Sequence, residues 1–237
     1  MAFYVMMSFL LALLLANHKI DFAIFVAFIS WLLLTFGANL FNDYFDKDKQ
    51  ALIGLPKPTP VTIEILYAAY FVKALGLLLS IIYLPIYFTL IYIIGVLASI
   101  VYSGKKVRIK SKAKTSIFFS LASGSASYFS ILIVIYQPNY YLDTRTIIIH
   151  LLGMVASGLF LSAFHIITQI HQKKEDESRG DNTLTVMYGK KKALLTAIAF
   201  LSLSSLILIY LFWTEVSYII VVIFIIQILL IVQIIKF

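Results

Sequence analysis

The stretch FAIFVAFISWLLLTFGANLFNDYFDKD, residues 22–48, joins a long apolar run to a dense polar cluster, and this junction decides the fold. The run over residues 22–38 is almost purely apolar, so it predicts a helix inside a bilayer that ends at or near the membrane interface. Ionisable groups at that depth are costly and usually functional. The polar cluster consists of Asn39, Asn42, Asp43, Asp46 and Asp48.

The spacing within this cluster indicates a binding site. Asn39, Asp43 and Asp46 stand at i, i+4 and i+7, so a helix carries them on one face, with Asn42 beside them. Converging carboxylate and amide oxygens suit a hard divalent cation such as Mg²⁺, above all one that also holds a phosphate. The alternative is a polar helix end that meets water, and the density of oxygen ligands favours the metal site.

Composition indicates an all-α integral membrane protein. The chain is 62% hydrophobic and 13% charged, with a mean hydropathy of +0.98, which lies far from the values of soluble proteins. Apolar runs predict a bundle of about eight transmembrane helices, of which the first is short. The runs cover residues 2–16, 22–41, 61–83, 85–103, 115–136, 146–168, 193–213 and 216–235. The absence of cysteine excludes disulfides and thiolate chemistry.

The basic residues lie in alternate connections between the predicted helices. All but four of the 19 Lys and Arg residues follow the second, fourth and sixth runs. This is the positive-inside pattern, which predicts that both termini and the three basic loops face the cytoplasm. The net charge of +8 is therefore explained by topology and attraction to anionic lipid, and we expect no nucleic-acid partner.

Acidic residues are concentrated in two of the same loops. Asp43, Asp46 and Asp48 lie in the first, and Glu175, Asp176, Glu177 and Asp181 lie in the third. Carboxylates that hold Mg²⁺, with Lys and Arg nearby, form a place for a diphosphate. A bundle rich in Phe, Tyr, Ile and Leu could hold a long hydrocarbon tail. The residues therefore suggest a membrane-embedded site for a prenyl diphosphate.

Four segments resemble a known family, the UbiA superfamily of intramembrane prenyltransferases. Asn42-Asp43-Tyr44-Phe45-Asp46 is similar to its first aspartate-rich motif, and Pro56-Lys57-Pro58-Thr59-Pro60 to the proline-rich segment that follows. Tyr102-Ser103 with Arg108-Ile109-Lys110 resembles the family's Tyr-Ser…Arg-Leu-Lys loop. Gly180-Asp181-Asn182-Thr183-Leu184 with Tyr188-Gly189-Lys190-Lys191 is similar to the end of its second motif.

The resemblance implies a bundle of nine helices around a central cavity, with Mg²⁺ and diphosphate at the cytoplasmic end. It implies metal binding by Asn42, Asp43, Asp46 and Asp176. Diphosphate binding would fall to Asn39, Lys105, Lys106, Arg108 and Lys110. Tyr102 would face the allylic cation or help to hold the phosphate, and a packing role for this residue stays open.

The second motif departs from the family pattern. Gln169 and Gln172 occupy positions where Asp or Asn is expected, and Asp176 falls on the last carboxylate of the motif. His165, Gln169 and Gln172 recur at i, i+4 and i+7, so they form a polar stripe on an otherwise apolar helix. The stripe either lines the cavity or makes hydrogen bonds between helices. This altered motif predicts a divergent branch whose acceptor or reaction type differs.

The leading hypothesis is Mg²⁺-dependent transfer of a prenyl group from an isoprenoid diphosphate to an aromatic or other lipophilic acceptor. The alternatives are a terpene cyclase that needs no acceptor and a non-catalytic prenyl-diphosphate binder. We expect one domain over residues 1–237 that is shorter than the family norm at both ends, in the inner (cytoplasmic) membrane. The sequence indicates no obligate protein partner.

Overall fold

The computed structural model of the chain describes residues 2–46, 61–136 and 141–213, and regular structure in these ranges is helical. Eight α-helices and one short 3-10 helix, Ile109–Ser111, follow one another. The α-helices are α1 (Ala2–Leu15), α2 (Phe22–Asp46), α3 (Ile63–Tyr83), α4 (Ile86–Ser103), α5 (Ala113–Tyr136), α6 (Thr144–His171), α7 (Lys173–Arg179) and α8 (Leu184–Phe212).

Six of these helices, α2 to α6 and α8, are long and apolar enough to cross a membrane. They match the predicted spans, and α1 matches the predicted short first run. The prediction of an all-α membrane bundle is therefore confirmed. The predicted span over residues 216–235 lies outside the described residues, as does the proline-rich segment over residues 56–60.

Two features of the second half were not expected. The polar segment Lys173–Arg179 forms the short helix α7, and α8 begins at Leu184, nine residues before the predicted apolar run over residues 193–213. Gly189 interrupts the start of α8 with φ 82° and ψ 162°, a conformation that only glycine adopts readily. The first turn of α8 can therefore lie near the polar loops while the remainder follows the bundle.

The helices pack through small residues and buried aromatic rings. At the contact of α5 with α6, a Cβ added to Gly124 would lie 2.7 Å from the carbonyl oxygen of Ser157, so only glycine allows this approach. Phe88, Tyr92 and Tyr128 are fully buried in the core near α1, α2 and α4. Small side chains at close helix contacts are typical of membrane bundles.

A lysine is buried inside the bundle on α3. Lys73 donates a hydrogen bond from Nζ to Ser99 Oγ at 2.9 Å, and the ammonium lies 4.3 Å from the centroid of the Phe41 ring. A Cβ on Gly37 would approach Lys73 Cγ to 2.7 Å, so the glycine leaves room for the lysine stem. A hydroxyl and an aromatic face together stabilise the buried cation.

Two loops join at one end of the bundle and position the site. The backbone of Asn182 donates to the carbonyl of Ser111 at 2.7 Å and accepts from the amide of Ala113 at 2.9 Å. This pairing fixes the loop after α4 against the loop between α7 and α8. Arg108 adopts a left-handed conformation, φ 44° and ψ 58°. Such a conformation costs of order 1 kcal/mol in a residue other than glycine.

Candidate functional site

A buried ion pair lies where α2 ends. The side chain of Asp46 is 6% exposed, and its Oδ1 accepts from Lys110 Nζ at 2.5 Å and from Arg108 Nη2 at 2.9 Å. Its Oδ2 accepts from Asn42 Nδ2 at 2.8 Å. The Oδ1 of Asn42 in turn accepts from Lys110 Nζ at 2.5 Å and from Ser103 Oγ at 2.9 Å. Charge-assisted hydrogen bonds of this kind are stronger than neutral ones and fix side-chain geometry.

The ion pairs continue from Arg108 to the second motif. Arg108 donates from Nε and Nη2 to the two carboxylate oxygens of Asp181, both at 2.9 Å. Arg179 donates to Asp181 Oδ2 from Nε at 3.2 Å and to Asp176 Oδ1 from Nη2 at 2.6 Å. Two arginines therefore share one carboxylate. We call the set Asp46, Arg108, Lys110, Asp176, Arg179 and Asp181 the charged network.

Burial and charge shift the pKa values within the charged network in different directions. Burial raises the pKa of Asp176 to about 6, although Arg179 and a hydrogen bond from Thr183 oppose this. Burial also acts to raise the pKa of Asp181, but hydrogen bonds and charges of Arg108 and Arg179 outweigh it and the pKa falls. Burial, with the neighbouring arginine charges, lowers the pKa of Lys110 despite Asp46. Desolvation and paired charges thus compete at each group.

A second polar cluster connects α4, α5 and α6. His165 Nε2 lies 2.8 Å from the Tyr102 hydroxyl, 2.7 Å from Ser116 Oγ and 2.9 Å from Gln169 Nε2. The Tyr102 ring stacks on Phe119 with centroids 4.6 Å apart. Gln169 is buried, and its Oε1 has no hydrogen-bond partner within the described ranges. Tyr102 and Ser103 are neighbours in sequence, so the end of α4 reaches both this cluster and Asn42.

The oxygen ligands at the end of α2 fit a hard cation. Asn42 Oδ1 and Asp46 Oδ1 both point to the Lys110 ammonium, so two oxygens converge on one positive centre. Amide and carboxylate oxygens are the ligands of Mg²⁺, which commonly binds one or two carboxylates and takes further oxygens from substrate phosphate. The described residues contain no group of three or more His, Asp or Glu side chains that could hold a metal alone.

The other predicted site residues are placed as follows. Gln172 lies at the junction of α6 and α7, half-buried, and Asp43 is exposed on α2. Asn39 is half-buried on α2 one turn before Asp43. Lys105 and Lys106 are exposed in the turn after α4 and make no ion pair with the described residues. The structure therefore brings Asn42, rather than Asn39 or Asp43, onto Asp46.

Sequence reasoning counted Asp181 among the acidic residues of its loop and Arg179 among the basic ones, but gave neither an individual role in the site. Their signal was present, because Arg179 follows Asp176 by three residues and a helix brings such residues together. The pairing of Asp181 with Arg108 depends on the contact between two distant loops, which spacing along the chain does not reveal.

An all-helical membrane bundle with a charged site at one end is the architecture that the motifs implied. The profile of the UbiA prenyltransferase family matches residues 5–237, and the chain belongs to this family. It is similar in fold to a solved structure from work on digeranylgeranylglyceryl phosphate synthase in membranes, with 20% identity and a TM-score of 0.57. That match covers 98% of this chain and 80% of the other. Among curated proteins, none matches this chain.

Proposed function

We propose that this protein transfers a prenyl group from an isoprenoid diphosphate to an aromatic or other lipophilic acceptor within the membrane. The observation that carries the proposal is the charged network, which gathers Arg108, Lys110 and Asp46 at the end of an apolar bundle. The cations can bind the diphosphate, and the apolar helices can contact the prenyl chain. One end of the bundle can therefore bind both parts of this substrate.

The reaction requires the bond between the allylic carbon and the diphosphate oxygen to break. The electron pair leaves with the diphosphate, and Arg108 and Lys110 stabilise its growing negative charge. The acceptor then forms a bond to the allylic carbon and loses a proton. Both cations already lie beside the first motif through their contacts with Asp46, where the leaving group would bind.

Asn42, Asp43 and Asp46 are the proposed ligands of Mg²⁺. When bound, this ion would supply Lewis-acid neutralisation of the diphosphate. Asn42 and Asp46 would orient the diphosphate against the end of α2, and Lys110, displaced from the oxygens that it now contacts, would be available to a phosphate oxygen.

Tyr102 is the proposed residue that faces the allylic cation. Its ring stacks on Phe119, and its hydroxyl is held near His165 and Ser116. An aromatic face stabilises a cation. His165 would hold Tyr102 in place, and Gln169 would hold His165. Both would also line the acceptor side of the site.

We also propose that this end of the bundle faces the cytoplasm from the inner membrane. The support is the concentration of Lys and Arg in the connections at this end, including Lys105, Lys106 and Lys190. The proposed partners are the isoprenoid diphosphate, the lipophilic acceptor and the bilayer.

The test uses purified protein in lipid nanodiscs with geranyl, farnesyl or geranylgeranyl diphosphate, Mg²⁺, and quinone-precursor acceptors supplied or withheld. We expect a prenylated acceptor and acceptor-dependent release of diphosphate. Asp46→Ala should abolish product while the protein stays folded. Hydrocarbon products without any acceptor would instead identify a cyclase, and binding without turnover would identify a carrier. Unchanged diphosphate release by Asp46→Ala would reject the proposed site.

A further inference from the structure

The second motif holds less negative charge than the family pattern implies. Gln169 and Gln172 are neutral, and the remaining carboxylate of the motif, Asp176, is 2.6 Å from Arg179 Nη2 and also accepts from Thr183 Oγ1 at 3.1 Å. Both oxygens of Asp176 are thus engaged by hydrogen-bond donors of its own segment. The Arg179 guanidinium therefore already neutralises the remaining carboxylate of the motif.

The position of Arg179 is fixed from several sides. Asp181 holds Nε at 3.2 Å, Asp176 holds Nη2 at 2.6 Å, and Glu175 Oε2 lies 4.0 Å from Nη1. The side chain is 18% exposed, so it is largely enclosed yet reachable by a ligand. A guanidinium held in place by its counter-ions and partly exposed is pre-organised for a phosphate, whose oxygens match its planar fork.

Arg108 and Arg179 meet on one carboxylate. Both donate to Asp181 Oδ2, Arg108 at 2.9 Å and Arg179 at 3.2 Å. Two like charges that share a single carboxylate repel each other, and a second anion placed between them would relieve that repulsion. A diphosphate carries several negative oxygens and can take this place.

We propose that Arg179 binds the diphosphate directly, together with Arg108, in place of a metal ion held by the second motif. Asp181 holds the two guanidiniums in position until the diphosphate arrives. The inference rests on the proposed function, since it assumes a diphosphate substrate. It assigns to this chain a site with metal only at the first motif and an arginine pair at the second.

The experiment measures binding of inorganic pyrophosphate by calorimetry, in EDTA and at saturating Mg²⁺, for the wild type and for Arg179→Gln. We expect Arg179→Gln to weaken pyrophosphate binding about tenfold or more in both conditions, which corresponds to the loss of a charge-assisted contact. Lys114→Gln is the matched control, because Lys114 is an exposed cation at the same end of the bundle. Its affinity should stay within about twofold of the wild type, as expected for a screened surface charge.

Arg179→Lys keeps the charge and removes the planar fork. Its affinity should be intermediate, and it decides the question if Arg179→Gln does not yield folded protein. Spectroscopic counting with Mn²⁺ as a substitute gives a second readout, in which we expect one bound metal per pyrophosphate. Wild-type pyrophosphate affinity in Arg179→Gln would overturn this inference but not the proposed function. The same holds for wild-type affinity in Arg179→Lys if only that variant folds, and for two bound metals per pyrophosphate. Wild-type protein that binds no pyrophosphate would overturn the proposed function as well.

Discussion

Replacing Asp46 by asparagine should have opposite effects on diphosphate binding with and without metal. Asn keeps the size of the side chain and one acceptor oxygen, but it removes the charge that faces Lys110 and Arg108. Both contacts are charge-assisted and the Asp46 side chain is 6% exposed. We expect folding stability to fall by about 1.5–3 kcal/mol, the usual range for a hydrogen bond to a charged group.

The effect on ligand binding follows from the charge balance of the network. Three carboxylates face three cations at 3.2 Å or less, so the charged network is neutral without ligand. Asp46→Asn leaves one excess positive charge. Two unit charges about 6 Å apart at an effective dielectric constant of about 20 interact by roughly 3 kcal/mol. Screening by water and salt reduces this value, so we expect pyrophosphate to bind about tenfold more tightly in EDTA.

With Mg²⁺ present, the same substitution removes a proposed metal ligand. Pyrophosphate affinity should then gain less from Mg²⁺ than in the wild type, and turnover should be lost. Calorimetry in both conditions tests this, with folding monitored through the fluorescence of buried Trp31. Glu177→Gln is the control, because it removes an exposed carboxylate at the same end, paired only with Lys173 among the contacts shown by the described residues. An equal loss of affinity in both conditions would refute the reasoning.

Two further predictions concern stability. Gly124→Ala places a Cβ 2.7 Å from the Ser157 oxygen and 2.8 Å from the Gly158 Cα. Both are backbone atoms that cannot move aside, so the free energy of unfolding should fall by about 1–3 kcal/mol. Ser123→Ala is the control, and equal melting temperatures for the two variants would contradict the close packing. The pKa of Asp176 is raised to about 6 in the folded chain, whereas the unfolded chain releases this proton near pH 4. The protonated group therefore stabilises the fold fully below about pH 4. This contribution is lost as the pH rises through about 6. Asp176→Asn should remove this part of the pH dependence of the melting temperature between pH 4 and pH 7, and an unchanged profile would show that another group causes it.

The spans could be predicted from the sequence because an apolar run of sufficient length crosses a bilayer as an α-helix, which satisfies its own backbone hydrogen bonds. The helix α7 was not predicted, since Lys173–Arg179 contains no apolar residue and so gives no hydrophobic period. The start of α8 was missed for a related reason. The residues over 184–192 include a glycine and three lysines, which interrupt the apolar pattern.

The sequence predicted which residues meet at the end of α2 better than it predicted which charged groups pair with each other. The motifs indicated that Asn42, Asp46, Arg108 and Lys110 belong to one site, and the structure brings these residues into contact. The partner of each charge was not predictable, because loops that carry many Lys, Arg, Asp and Glu allow several pairings. The backbone contact of Asn182 with Ser111 selects one of them by holding the two loops together.

The neutral amides of the second motif and the ion pairs of the charged network both limit the uncompensated negative charge of the site. If positions 169 and 172 were carboxylates, the site would carry two additional negative charges in a partly buried environment, and these would have to be neutralised by metal. With Gln169 and Gln172 the remaining carboxylates are balanced by Arg108, Lys110 and Arg179. Such a site can stay assembled before any substrate arrives. Under the proposed function, a diphosphate entering with Mg²⁺ would replace the present ion pairs with new ones, so little uncompensated charge would be buried.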